Sequence, residues 1–269
     1  MLRIANNKVV IRGAGDLATG IACRLHRSGF KVLMLELEKP LVIRRTVAFA
    51  SAVWEKEYTV EGIKAVKAEQ IEDIYHIWEK EVIPVMVDPE ARILNFIKPG
   101  ILVDAILAKK NLGTSRKMAP ITIGLGPGFE AGVDVDVVIE TKRGHNLGRL
   151  IFQGRAEENT GIPGEVMGYA RERVLYAPAD GVIHNILDIG EKVQKGQTIA
   201  YVDKEPVIAS IDGVLRGLIR NETQVSKGLK IGDIDPRGVK EYCFTISDKA
   251  RALGGSVLEA ILFLREKLD

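Results

Sequence analysis

Lys8-Val9-Val10-Ile11-Arg12-Gly13-Ala14-Gly15-Asp16-Leu17-Ala18-Thr19-Gly20 is the stretch whose reading decides the fold. The apolar run 9–11 leads into the glycines, and Leu17, Ile21, Ala22 and Leu25 then recur at helical spacing until Gly29. Residues 31–36, Lys-Val-Leu-Met-Leu-Glu, follow as a second buried-strand pattern. Strand, glycine turn, helix and strand in that order predict the opening βαβ unit of a doubly wound, Rossmann-like sheet.

In that context the Gly13-x-Gly15-x-x-Ala18 spacing acquires a mechanism. Gly13 allows a tight turn, Gly15 the close approach of a pyrophosphate, and Ala18 a close helix–sheet contact. The N-terminus of the helix offers free N–H groups to phosphate. Glu36 ends the second strand, where a carboxylate can accept from ribose hydroxyls. Asp16 opposes this reading, because a carboxylate beside a phosphate repels it unless it turns away or caps the helix. Arg44 and Arg45 follow the second strand, where guanidinium forks can select a phosphate; a solvated surface pair explains them equally well. Gly126 and Gly128, after a third strand, can form an anion nest or simply a buried turn. The candidate cofactor-binding residues are therefore Gly13, Gly15, Asp16, Ala18, Glu36, Arg44, Arg45, Gly126 and Gly128. His145, on a glycine-rich loop, is the candidate general acid or base by residue type.

Working outward, residues 69–80 carry Ile71, Ile74, Tyr75 and Trp78 on one helical face. Segments 82–87, 101–103, 119–125 and 135–139 read as strands. Asp104 interrupts an apolar run and needs a partner if buried. From about residue 144 turn residues crowd the chain and helical periodicity weakens.

From residue 174 onward short strands alternate with glycines, and residues 177–203 align with 209–235 at a constant offset of 32, with nine identities in 27 pairs. Asp180-Gly181 matches Asp212-Gly213, and Lys195-Gly196 matches Lys227-Gly228. Two copies are too few for a solenoid, so a pair of interleaved half-sheets is expected, resembling the half-motif of a biotinyl/lipoyl-type barrel-sandwich hybrid. Lys204 falls between the halves, where a lipoyl-type domain presents its modified lysine, but its nine-residue distance to Gly213 is short for that pattern. An ordinary turn lysine is the expectation. Residues 256–264 close the chain as an amphipathic helix. The expected organisation is a Rossmann-like domain over 1–170, and a barrel-sandwich-like β domain plus C-terminal helix over 171–269.

Composition bounds the function. The chain has 269 residues with 38 Lys+Arg against 36 Asp+Glu, too balanced for a dedicated nucleic-acid binder. Four His, and two Cys in no CxxC spacing, leave little for a metal site or a disulfide framework. Cys23, one to two turns into the first helix, reads as core packing, and Cys243 as a strand residue. No apolar run reaches the roughly 18 residues of a membrane helix. The first eight residues lack a leader's apolar core, so a cytoplasmic protein without membrane contact is expected. The 27 glycines, about a tenth of the chain, are the compositional excess.

Taken together, V-I-R-G-A-G-D-L-A-T-G (10–20), R-R-T-V-A-F (44–49), I-G-L-G-P-G-F (123–129), I-E-T-K-R-G-H-N-L-G-R (139–149), N-T-G-I-P-G (159–164) and G-L-K-I-G-D-I-D-P-R (228–237) resemble the YqeB-like family. That family comprises accessory proteins associated with selenium-dependent molybdenum hydroxylases. The resemblance implies a cytoplasmic role in maturing such a hydroxylase as client, and carries no catalytic residues with it. The cofactor expected at the glycine turn is a dinucleotide, NAD(P) or FAD, or a molybdopterin nucleotide. A free-standing NAD(P)-dependent oxidoreductase with His145 as proton donor, and a carrier or scaffold acting through the β domain, are the alternatives. Self-association is left open.

Overall fold

The computed structural model describes residues 6–266; residues 1–5, part of the leader reading, lie outside it. Two compact units emerge, each assembled from separate stretches of chain. Among the described residues, 6–40, 48–159 and 246–266 form the first, and 41–47 with 160–245 the second.

The first unit is built on β1 (Lys8–Arg12), α1 (Asp16–Arg27) and β2 (Lys31–Glu36). It continues with α2 (Ala52–Glu55), β3 (Glu57–Val60), β4 (Ile63–Ala68), α3 (Ile71–Glu79), β5 (Ile83–Val87), α4 (Leu94–Ile97) and β6 (Ile101–Asp104). After these come β7 (Ile121–Leu125), β8 (Glu130–Ala131), β9 (Val137–Ile139), β10 (Leu150–Ile151) and β11 (Gly154–Arg155). Nine of these strands form one sheet in the order β10-β9-β7-β6-β1-β2-β5-β4-β3. The neighbours from β9 through β4 are parallel, and an antiparallel strand closes each edge. From β1 the chain moves outward to one side through β2, then returns to place β6 on β1's other flank. The strand order therefore reverses between β1 and β6.

Strands buried on both faces explain the continuous apolar runs: Val9 to Ile11, Leu33, Met34, Leu102 and Val103 are fully buried. On one face Ile74, Ile77 and Trp78 of α3 pack with Val10, Leu33 and Leu102. Trp78 Nε1 donates to the Val32 carbonyl at 2.8 Å, which satisfies the indole in the core.

The C-terminal helix, α5 (Asp248–Arg265), belongs to this first unit, which corrects its expected place in the second domain. Small residues draw it onto α1. A Cβ built on Gly20 would stand 2.7 Å from the Ala250 Cβ, and one on Gly254 3.0 Å from the Gly20 carbonyl oxygen. The helix also begins eight residues before the amphipathic pattern, where the Ser247 hydroxyl accepts from Ala250 N at 3.2 Å as its cap.

The second unit holds β12 (Val174–Tyr176), β13 (Gly181–Asn185), β14 (Lys192–Val193), β15 (Thr198–Val202), β16 (Glu205–Ile208), β17 (Gly213–Leu218), β18 (Gln224–Val225) and β19 (Lys230–Asp235). They make two four-stranded antiparallel sheets, β12-β19-β17-β14 and β16-β15-β13-β18. The repeat is visible in the pairing: Gly181 faces Val225, and Gly213 faces Val193, each 32 residues along. Each half thus lends its short middle strand to the other's sheet, the interleaving expected from the sequence. Asp180 Oδ1 accepts from Lys227 N at 2.8 Å and Asp212 Oδ1 from Lys195 N at 2.7 Å, so the Asp-Gly and Lys-Gly turns brace each other reciprocally. Ile183, Ile199, Leu215 and Ile231 share the enclosed core.

Residues 41–47 join this unit through the backbone, with Leu218 N donating to the Ile43 carbonyl at 3.0 Å. A single cut at residue 170 therefore does not describe the division of the chain.

Candidate functional site

The glycine turn lies where β1 hands over to α1. Gly13 has φ +98°, a conformation that favours glycine, and its N–H donates to the Leu35 carbonyl at 2.7 Å. A Cβ there would lie 3.0 Å from the Ala105 carbonyl oxygen, so Gly13 also lets the chain leaving β6 pass close by. Gly15 is the N-cap of α1 in extended conformation, and it supplies no side-chain acceptor to the first-turn amides. Asp16 is the first residue of the helix rather than its cap, and Ala18 is buried at the helix–sheet contact.

Glu36 is brought to this turn. Its Oε2 accepts from Ala14 N and its Oε1 from Leu37 N, both at 2.8 Å. Burial pushes its carboxyl above the ordinary range, against the pull of these two amides. Each oxygen keeps a further lone pair.

The carboxyl ends of β1 and β6 are closed by a buried polar network. Arg12 Nη1 donates to Thr114 Oγ1 at 2.6 Å and stands 3.5 Å from Asp104 Oδ2, while Thr114 Oγ1 donates to that same oxygen at 2.6 Å. Arg12 Nη2 reaches the carbonyls of Pro89 and Leu112. The partner that a buried Asp104 requires is thus Arg12, directly opposite it in the β1–β6 register.

Gly126 and Gly128 follow β7 at the same edge, with φ +77° and +110°. A Cβ on Gly126 would lie 2.6 Å from Thr141 Oγ1, and one on Gly128 2.7 Å from the Lys110 backbone. Close packing at both positions requires glycine.

His145 is exposed and has no hydrogen-bond or ion-pair partner among the described residues. Nothing there holds the ring in one orientation for proton transfer. Its loop is fixed at either side instead. Gly148 packs on Ser256, and buried Glu140 accepts from the backbone N–H groups of Lys142 and Glu157 at 2.7 and 2.8 Å.

Arg44 and Arg45, in the loop after β2, are assigned to the second unit. Arg44 Nη2 donates to the carbonyls of Tyr242 and Thr245, and Arg45 Nε to that of Leu218. Thr46 Oγ1 donates to the Cys243 carbonyl at 2.6 Å. These bonds anchor segment 41–47 to its own unit.

Lys249, in the first turn of α5, escaped the sequence reading. Burial pushes its ammonium below the ordinary range and the Arg143 cation adds to that, while Asp16, Glu140 and Asp248 pull it back. It makes no hydrogen bond or ion pair among the described residues. The signal that could have found it is the Ser247-Asp248 cap, which places Lys249 at a helix start. Cys23 is buried and its thiol is pushed up to about 12, as a packing residue should be. Cys243 lies in a short 3-10 turn, Lys240–Cys243, and not in a strand. Among the described residues no group of His, Cys, Asp and Glu could hold a metal ion, and no helix is long and apolar enough to cross a membrane.

Fold and site together define an α/β protein: a mostly parallel nine-stranded sheet followed by antiparallel β sheets and a C-terminal helix. The chain is a close homologue of part of the Escherichia coli (strain K12) protein YqeB, itself described as uncharacterized. The two are 53% identical over 256 residues, which is 95% of this chain and 47% of that protein. The chain therefore spans about half the length of this curated relative. No protein-family model matches it. Among solved structures it is similar to the product-bound ectoine utilization protein EutE (DoeB) of Ruegeria pomeroyi, at TM-score 0.26, 12% identity and 84% of each chain. A succinylglutamate desuccinylase/aspartoacylase of Rhodobacter sphaeroides gives TM-score 0.26, 13% identity and 85% of each chain. Likenesses this weak decide nothing about fold or chemistry.

Proposed function

We propose that this chain is the cofactor-binding part of an accessory protein of the YqeB-like family, cytoplasmic, which matures a selenium-dependent molybdenum hydroxylase. Its first unit reads as a Rossmann-like domain that binds a dinucleotide, NAD(P) or FAD, or a molybdopterin nucleotide. The client rests on the resemblance carried by the succession of motifs, and the ligand class on the glycine turn.

One observation carries the ligand reading. Gly15 caps α1 without a side chain, so no side-chain oxygen occupies the N–H groups of Leu17 and Ala18, at the edge where the strand order reverses. In this reading phosphate oxygens accept from those amides. Glu36, already fixed by two backbone amides, uses its remaining lone pairs for ribose hydroxyls. Asp16 opposes a phosphate, and the Lys249 ammonium is the cation that offsets it. The test is titration calorimetry of the full chain with NAD+, NADP+, FAD and a molybdopterin nucleotide. Saturable binding of one of them, lost in Gly15→Val, supports the reading; no binding of any of the four refutes it.

A second reading is favoured by the turn at Lys204. The second unit reads as a barrel-sandwich hybrid, and Val202 pairs with Glu205, so Asp203 and Lys204 form an exposed two-residue turn. A carrier role would place an acyl adduct on Lys204. Intact mass of the protein from its native source decides it, an unmodified mass excluding the carrier.

A further inference from the structure

The 32-residue repeat gives every position in one half of the second unit a control in the other. Arg173, Arg216, Asp233 and Asp235 correspond to Glu205, His184, Tyr201 and Asp203, all four of them exposed. Arg216, Asp233 and Asp235 are instead buried, at 8%, 4% and 2% exposure. One half folds without buried charge at these positions, so the half-sheet architecture does not demand it.

Backbone geometry singles out Arg216. The β17–β19 register shifts between Leu215 and Gly217, which leaves Arg216 as the extra residue of a β-bulge. The equivalent β13–β15 pairing runs through His184 without a shift. A bulge re-aims one side chain at the cost of ladder hydrogen bonds, and such features cluster beside binding sites.

The re-aimed guanidinium is not satisfied by its surroundings. It stands 3.9 Å from Asp233 and 3.6 Å from Asp235, beyond hydrogen-bond distance. Those carboxylates are committed elsewhere: Asp233 Oδ1 accepts from Arg173 Nη2 at 2.8 Å, and Asp235 accepts from Arg237 Nε and Nη2 at 2.9 and 2.6 Å. Arg216 makes no hydrogen bond among the described residues, and the Nε atoms of both Arg216 and Arg173 are buried without an acceptor. Arg44 runs beside β17, where a Cβ built on Gly217 would stand 3.4 Å from its Cγ, and after burial its cation is the strongest influence pushing the Arg216 guanidinium below its ordinary range. A buried, unsatisfied donor set of this kind calls for an acceptor.

We infer that Arg216, with Arg173, Arg44 and Arg237 around it, binds a doubly charged tetrahedral oxyanion of the kind that ends a phosphate monoester. Guanidinium groups arriving from β17, from the residue before β12, from segment 41–47 and from beyond β19 suit an ion with at least three acceptor oxygens; a carboxylate offers two. Arg237, whose side chain is 38% exposed and lies over the Tyr242 ring at 4.6 Å, gives the site its solvent side. This site is independent of the glycine turn in the first unit.

The test is titration of inorganic phosphate, with acetate in parallel, into the full chain carrying Gly15→Val, so that the glycine turn contributes nothing. Saturable phosphate binding at one site without acetate binding is expected. Arg216→His, the residue the repeat itself carries at that position, should lower phosphate affinity by about tenfold or more. Arg237→Gln should lower it several-fold. Absence of saturable phosphate binding, equal binding of acetate, or unchanged affinity in Arg216→His overturns the assignment. Should Arg216→His fail to fold, the exposed Arg237→Gln decides, and unchanged affinity there refutes the site.

Discussion

Three glycine-to-alanine substitutions at the α1–α5 crossing should separate by the contacts each new methyl meets. In a helix interior the exchange by itself gains about 1 kcal/mol from the lower chain entropy of alanine. At Gly255 a Cβ meets nothing within 4 Å, so Gly255→Ala should realise most of that gain. At Gly20 the new carbon would stand 2.7 Å from the Ala250 Cβ and 3.0 Å from the Ala250 carbonyl oxygen. Ordinary carbon contacts lie near 3.5–4.0 Å, so the helices must open by roughly 1 Å, and overpacking of this kind costs about 1–3 kcal/mol. Gly20→Ala should therefore fall about 1–3 kcal/mol below Gly255→Ala, ending near neutral to destabilised. Gly254→Ala, 3.0 Å from both the Arg24 Cβ and the Gly20 carbonyl, should lie between them. Urea unfolding followed by tryptophan fluorescence is the assay, because Trp54 and Trp78 both belong to the first unit. Equal stabilisation by Gly20→Ala and Gly255→Ala would refute the packing of α5 on α1.

Three further outcomes are expected. Arg12→Met leaves Asp104 buried, with Thr114 as its remaining side-chain partner, and should cost about 3–5 kcal/mol in the same unfolding assay; a loss under 1 kcal/mol would contradict the network. Cys23, with its thiol pushed up to about 12, should not react with a thiol reagent at pH 8 until the first unit unfolds; rapid labelling of the native chain at Cys23 would contradict its burial. Glu36 has a folded-state pKa above its unfolded one, so the native state holds its proton longer. Its contribution to stability is then fully present below the unfolded value of about 4.3 and falls as pH rises through the folded pKa. Glu36→Gln should flatten that part of the stability–pH curve, and an unchanged slope would contradict the assignment.

Much of the first unit was legible because its signals are local. β2 coincides with the apolar run 31–36, and α1 begins at Asp16, directly after the glycine turn. The β3–β4 hairpin was not legible, since it turns at Glu61-Gly62 with a non-glycine residue at φ +45°, which composition does not advertise. The early start of α5 lies before the apolar pattern at 256–264, across Gly254, which packs on α1, and Gly255, whose Cβ would meet nothing within 4 Å. The repeat predicted interleaved half-sheets, and the structure adds which strands exchange, β14 and β18, and that the Asp-Gly and Lys-Gly turns brace each other. The transfer of residues 41–47 to the second unit and of α5 to the first rests on long-range contacts that no window of sequence contains. The same holds for sites. Gly13, Gly15 and Glu36 lie within one βαβ unit and were found together, whereas Lys249 and the Arg173–Arg216–Arg237 cluster come from scattered positions. At Gly126 and Gly128, read from sequence as an anion nest or a buried turn, Thr141 and the Lys110 backbone lie too close for a side chain.

The most direct test of the central claim, that the turn at Gly13 to Ala18 holds a nucleotide cofactor, is native mass spectrometry of the full chain purified from its own source. A co-purifying nucleotide of NAD, NADP, FAD or molybdopterin-nucleotide mass, absent from a correctly folded Gly15→Val variant, is the predicted result. The same ligand retained in that variant, or a native chain that carries none and takes up none when these nucleotides are supplied, would contradict it.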